Sequence, residues 1–213
     1  MADLAPIRRM LNVLVTPSDV FDEVLASPTN LANWRLPTLW VVLASLASLP
    51  ASNLPSYSHV ATAELEKTQL LAAWSSLISA FLVCGGAVIG TLWSATILWV
   101  MGRFFLKVQF SFRKTLEIVG LTSGIVILGI VLTGLLSAAL NHSVSPALSI
   151  LALKVPLSTR LNQALDLFNF FHLWNLAALA IGLSRLSGVS CKEASFWVFG
   201  YWLFVRLALL TLI

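Results

Sequence analysis

The chain has 213 residues, 58% of them hydrophobic and only 10% charged, with a mean hydropathy of +0.90 and a formal net charge of +4. Soluble domains carry about 25% charged residues, so this chain lacks the polar surface to face water and the bilayer must be its solvent. A soluble enzyme and a nucleic-acid-binding module are thereby excluded, and the positions of the thirteen Lys and Arg matter more than their sum.

The opening "MADLAPIRRMLNVLV" carries Arg8 and Arg9, but its apolar stretch is short and interrupted by Asn12. "TPSD" follows with no small-residue cleavage site, so a cleaved signal peptide is not expected and the first membrane helix should serve as an uncleaved anchor. In "TPSDVFDEVLAS", Thr16 suits an N-cap, Pro17 the first helical position and Asp19 the third, close to a capping box. Phe21, Val24 and Leu25 then share a face, while Asp19, Asp22 and Glu23 are acidic. The pattern predicts a short amphipathic helix at the cytoplasmic interface, with a docking helix for a soluble partner as the alternative.

A membrane helix needs about 20 mostly apolar residues. Five stretches meet that requirement, at about 36–54, 70–101, 116–140, 165–183 and 194–213. Together they predict an all-α, polytopic five-helix bundle, with residues 1–35 as a cytoplasmic N-terminal segment. Pro37 falls in the first turn of the first span, where it is tolerated. The second stretch is too short for two spans with a turn and too long for one upright helix, so a tilted or projecting helix is expected. Between the third and fourth spans, Ala147–Val155 is too short to cross and reads as an interfacial or re-entrant piece.

Arg8, Arg9, Arg35, Arg103, Lys107, Arg113, Lys114, Arg185 and Lys192 fall in the loops on the starting side, and only Lys67, Lys154 and Arg160 on the other. The positive-inside rule then places the N-terminus in the cytoplasm and the C-terminus outside. Arg103, Lys107, Arg113 and Lys114 form a basic cytoplasmic face that would attract anionic lipid, at about 1 kcal/mol for each charge near the surface. Most of the tryptophans lie toward span ends, as interfacial anchors do.

Gly86 and Gly90, and then Gly120 and Gly124, each make a GxxxG spacing. Such notches let helix backbones approach closely in lipid. Packing of the second span on the third is the plain reading, and a homo-oligomer interface the sharper one. In the fourth stretch Asp166, Asn169, His172 and Asn175 recur every third residue, a polar row that drifts slowly around the helix. Arg206 in the last span is matched by depth to Asp166, while Glu117 in the third is expected to pair locally with Arg113. The cluster is either interhelical glue or the lining of a pathway for a proton, ion or lipid headgroup.

No catalytic constellation emerges. There is no HExxH, CxxC pair or GxSxG, and His59, His142 and His172 lie on different segments. Cys84 and Cys191 show neither pairing nor metal-ligand spacing, and no cofactor or metal is expected. Asn141-His142-Ser143 matches a glycosylation sequon, a triplet common by chance.

Three segments together carry a family resemblance: "LVTPSDVFDEVL", the basic loop "GRFFLKVQFSFRKTLEIVG", and "LFNFFHLWNLAALAIGLSRLSGVS". In this order they resemble the Yip family, the Ypt-interacting-protein domain, in its prokaryotic form. The likeness rests on Pro17 to Phe21 at the front and on Phe168, Trp174, Leu179, Gly182 and Leu183 in the fourth span. Many relatives place a proline after a serine in the third span, where here Ser123 is followed by Gly124. The resemblance implies a multi-pass protein, in bacteria an inner-membrane one without assigned activity. In eukaryotes it implies a Golgi or endoplasmic-reticulum protein that associates with Rab-type GTPases and with its own kind. It supplies no catalytic residue. A non-enzymatic scaffold is the function expected, with a small transporter, channel or lipid-moving protein as the alternative, and a stabilising subunit of a larger membrane assembly as a weaker third.

Overall fold

The computed structural model describes residues 5–48, 62–140 and 168–212, and their regular structure is helical. In chain order the helices are α1 (Ala5–Asn12), α2 (Pro17–Ala26), α3 (Ala32–Ser48), α4 (Thr62–Val100), α5 (Phe112–Leu140), α6 (Phe170–Ser187) and α7 (Cys191–Leu212). A π-helical turn, Met101–Phe105, extends α4. Asp166 and the segment 147–155 lie outside the described residues, so the expected Asp166–Arg206 pair and the re-entrant piece do too.

The central helix is α5, which packs against α1, α2, α3, α4 and α6. Every residue from 115 to 125 is buried, whichever way it faces. A helix apolar on all sides belongs where protein surrounds it, and the first half of α5 occupies that place. One apolar core joins Leu98 and Met101 of α4, Leu116 and Val119 of α5, Leu179 and Leu183 of α6, and Val198 and Trp202 of α7. A second joins Met10, Val13, Val20, Phe21 and Val24 to Ile118, Leu121 and Ile125 of α5.

Among the described residues two stretches, Cys84–Phe105 and Phe112–Ser137, are long and apolar enough to cross a bilayer. Only 17% of the first stretch's most apolar window is buried within the protein. Phe81, Ile89, Trp93, Phe196 and Phe204 all point outward as well. Outward-facing apolar area of this extent requires lipid around it. The second of the stretches picked out in the sequence is one continuous helix: α4 has 39 residues, about 58 Å at 1.5 Å each, against a hydrocarbon core of about 30 Å.

Two local features differ from expectation. First, α3 begins at Ala32, so Pro37 lies inside the helix. Proline has no N–H, so the Asn33 carbonyl loses the helical donor it would otherwise receive from position 37. Second, the capping box at Thr16 does not form. Its side chain makes no cap bond, and its hydroxyl donates back to the Asn12 carbonyl at 3.4 Å.

Larger is the change in what α2 does. Its apolar stripe is fully committed to the protein, since Phe21 and Val24 are 0% exposed and Phe21 packs at Gly182 of α6. A helix expected to rest its apolar face in the lipid interface instead rests it on α5 and α6. A groove lined by Ile118 and Ala178 offers α2 the same apolar environment as lipid, with fixed shape besides.

Candidate functional site

The polar centre of the molecule lies beneath α1 and α2 at the basic end of the bundle. Lys114, in the first turn of α5, donates from Nζ to the carbonyls of Val24 at 2.6 Å and Ser27 at 2.7 Å. These are terminal carbonyls of α2, which have no helical donor of their own, and a cation there also meets the negative end of the helix dipole. One turn further along α5, the Glu117 side chain is 0% exposed. Its Oε2 accepts from Asn33 Nδ2 at 2.8 Å and its Oε1 from the Asn30 backbone N–H at 3.1 Å. Lys114 Nζ lies 3.7 Å from Oε1. The carboxylate therefore sits at the N-terminal end of α3, where backbone donors and the helix dipole both favour an anion.

Asn33 carries the network outward. Its amide nitrogen faces the carboxylate, and its Oδ1 accepts from Arg9 Nη1 at 3.5 Å. That fixes the amide orientation, since a carboxylate takes donors and a guanidinium only gives them. Arg9 also donates to Glu23 Oε1 from Nε at 3.0 Å and from Nη2 at 2.7 Å. Asn30 Oδ1 accepts from the Ala32 N–H at 2.9 Å, shaping the turn into α3. A weaker link, Arg185 Nε to Asp22 Oδ1 at 3.5 Å, ties α6 to α2 near solvent.

Glu117 thus has a partner other than the expected one. Arg113 is exposed, and Lys114 with Asn33 holds the carboxylate instead. The i,i+4 rule describes neighbours on a bare helix, whereas the face of α5 that carries Glu117 is covered by α3. Lys114 also leaves the proposed basic face, because its ammonium is spent on α2 carbonyls. Arg103, Lys107 and Arg113 remain exposed.

The two GxxxG notches have opposite fates. A Cβ on Gly120 would collide with the Trp34 backbone, and one on Gly124 with Met10. The notch in α5 receives α3 and α1 and not, as expected, the second span. Around Gly86 and Gly90 nothing among the described residues lies within 4 Å of where a Cβ would be.

The polar row of the fourth span divides in the same way. Asn169 is the N-cap of α6, its side chain accepting from the backbone N–H groups of Phe171 at 3.0 Å and His172 at 3.4 Å. It is a helix terminus and not part of a helical face. His172 Nε2 lies 3.5 Å from Arg206 Nη2 of α7, beside the Trp202 ring. Asn175 Oδ1 and Trp202 Nε1 are buried with no hydrogen-bond partner among the described residues. Among the described residues no group of His, Cys, Asp or Glu is placed to hold a metal.

Sequence reasoning missed Asn30, Asn33 and Arg9. A signal for the first two was present, since two asparagines three apart stand immediately before an apolar run and suit the exposed N–H groups of a helix start.

A helical bundle with lipid-facing apolar surfaces and a saturated polar network at its basic end is the architecture of an integral membrane protein. The chain belongs to the Yip1 family: the Yip1 domain matches residues 11–213. No curated protein and no solved structure matches it.

Proposed function

We propose that the protein is a non-enzymatic membrane scaffold that holds α1 and α2 as a fixed platform for a partner protein. The observation that carries this reading is the state of Glu117. A carboxylate lining a transport path keeps a face toward water or cargo. Here both oxygens accept protein donors and the side chain is fully enclosed. The strongest polar residue of the bundle is spent on position, anchoring the turn into α3 with Lys114 holding the end of α2.

Asp19 faces outward on that platform, while Asp22 and Glu23 are paired with Arg185 and Arg9, so Asp19 is the carboxylate a partner would meet. The partner class follows the family resemblance: a small GTPase or another family member. Self-association is the second element of the proposal. It is supported by the open stripe at Gly86 and Gly90, the kind of surface that lets two lipid-facing helices approach. The compartment proposed is a bacterial inner membrane, crossed five times, with the N-terminus cytoplasmic. The gathering of Arg9, Lys114, Arg185 and the exposed loop cations at one end of the bundle supports that orientation.

A photo-crosslinking residue at Asp19 in cells tests the platform. A discrete protein adduct is expected, strongly reduced by Glu117→Ala, which releases the platform without touching its outer face. Adducts only to lipid at Asp19, or an adduct indifferent to Glu117→Ala, would refute it.

A further inference from the structure

We propose that the elbow between α4 and α5 is a binding site for the phosphodiester headgroup of an anionic glycerophospholipid from the surrounding leaflet. A cleft of about 400 Å³ opens there, with Trp99, Arg103, Gln109, Ser111 and Phe112 among its walls. It is held in shape by contacts that no ligand supplies. Trp99 Nε1 donates to the Phe110 carbonyl at 3.2 Å, and the Val108 N–H donates to the Gly102 carbonyl at 2.9 Å. The Phe110 ring fills the space where a Cβ at Gly102 would stand, so a side chain there would have to displace it. Lys107, with φ of 55°, turns the chain back toward α4. The π-helical turn 101–105 places Arg103 over the Trp99 ring at 5.2 Å, so the guanidinium is already ordered.

Charge selects the occupant. Residues 101–114 include Arg103, Lys107, Arg113 and Lys114 and no Asp or Glu. Lys114 is committed elsewhere, which leaves Arg103 as the cation in the cleft wall with Lys107 exposed nearby in the same loop. A guanidinium presents paired donors that match two phosphate oxygens.

Depth selects the source. Phe104 is 68% and Phe105 53% exposed, next in sequence to an exposed Arg103. Aromatic residues that face outward beside cations mark the headgroup boundary. A phosphate reaching this cleft from the bilayer arrives with its acyl chains already alongside Phe104. The inference stands apart from the scaffold reading, since it uses none of the platform residues.

The full chain in nonionic detergent, titrated with dioleoyl-phosphatidylglycerol or dioleoyl-phosphatidylcholine and read by native mass spectrometry, tests it. One retained phosphatidylglycerol is expected, held about tenfold more tightly than phosphatidylcholine. Arg103→Gln should weaken it about fivefold, and Arg113→Gln, in the first turn of α5 and outside the cleft wall, less than about twofold. Arg103→Lys, which keeps the charge and the fold but loses the planar fork, should still weaken retention about threefold. Equal retention of the two lipids would overturn the proposal. So would equal losses for Arg103→Gln and Arg113→Gln, undiminished binding by Arg103→Lys, or displacement of the lipid by millimolar inorganic phosphate, which would make free phosphate the ligand.

Discussion

Glu117 and Asn33 stand 84 positions apart in the chain and share a fully buried hydrogen bond of 2.8 Å. The bond joins the second turn of the bundle's central helix to the first turn of α3. Lys114 lies 3.7 Å from the Glu117 carboxylate and Arg9 reaches Asn33, while Arg185 ties α6 to α2 separately. Charge-assisted bonds in a dry site are roughly twice as strong as neutral ones, and leaving one partner unpaired costs more than the bond contributes.

Substitutions at this pair should therefore separate charge from hydrogen bonding. Glu117→Ala takes the acceptor from the Asn33 amide and the Asn30 N–H and the counter-ion from Lys114, and a loss of about 3–5 kcal/mol is expected. Glu117→Gln keeps an acceptor for Asn33 but no charge for Lys114, and should lose less, about 1–2 kcal/mol. Reversible unfolding in mixed micelles measures both. Equal losses would mean that the Asn33 bond contributes nothing.

The glycines give a second contrast at matched spacing. Gly120→Val drives a side chain into the Trp34 backbone, which cannot rotate away, and should cost about 3 kcal/mol or prevent folding. Gly90→Leu meets open space and should change the unfolding free energy of the isolated chain by less than about 0.5 kcal/mol. If self-association runs through α4, Gly90→Leu will reduce the mass measured in native nanodiscs while leaving that stability unchanged. An unchanged mass would remove the α4 interface from the proposal.

That same pair of motifs shows how far the sequence could be read. GGAVIG and GLTSG both announce a close approach, and only the fold says which one is filled. The apolar stripe of α2 was legible from Phe21 and Val24, yet lipid and a protein groove demand the same side chains, so its destination was not. A charge at Glu117 inside an apolar run demanded a partner. Local spacing offered Arg113, and no periodicity in either segment reports a contact with Asn33. Asn169 fitted a three-residue polar row as well as it fits an N-cap, because the row and the helix start coincide. The membrane class, by contrast, follows from bulk composition, which no local rearrangement alters.

Gly188 closes α6 at φ of 70°, with its N–H donating to the Ser184 carbonyl at 2.8 Å. No atom would obstruct a Cβ there, so Gly188→Ala isolates the backbone cost of a left-handed cap. A loss of about 1 kcal/mol is expected from thermal unfolding. A neutral result would mean that the α6–α7 turn relaxes freely despite the Ser184 hydroxyl bond to the Val189 carbonyl at 2.7 Å.

Arg206 and His172 carry the last prediction, because they are where glue and pathway part. Arg206 Nη2 faces His172 Nε2 at 3.5 Å, a contact that is favourable when Nε2 is the nitrogen without a proton. Interhelical polar contacts in membranes average under about 1 kcal/mol, so Arg206→Gln should lower stability only by about that much. The shorter glutamine gives up the contact, so His172→Ala in the same background should add little further loss. If the pair is glue, both variants will leave the passive proton permeability of reconstituted vesicles equal to that of wild type. A wild-type flux abolished by Arg206→Gln at unchanged unfolding midpoint would instead make this pair part of a conducting path, and the scaffold reading would fall with it.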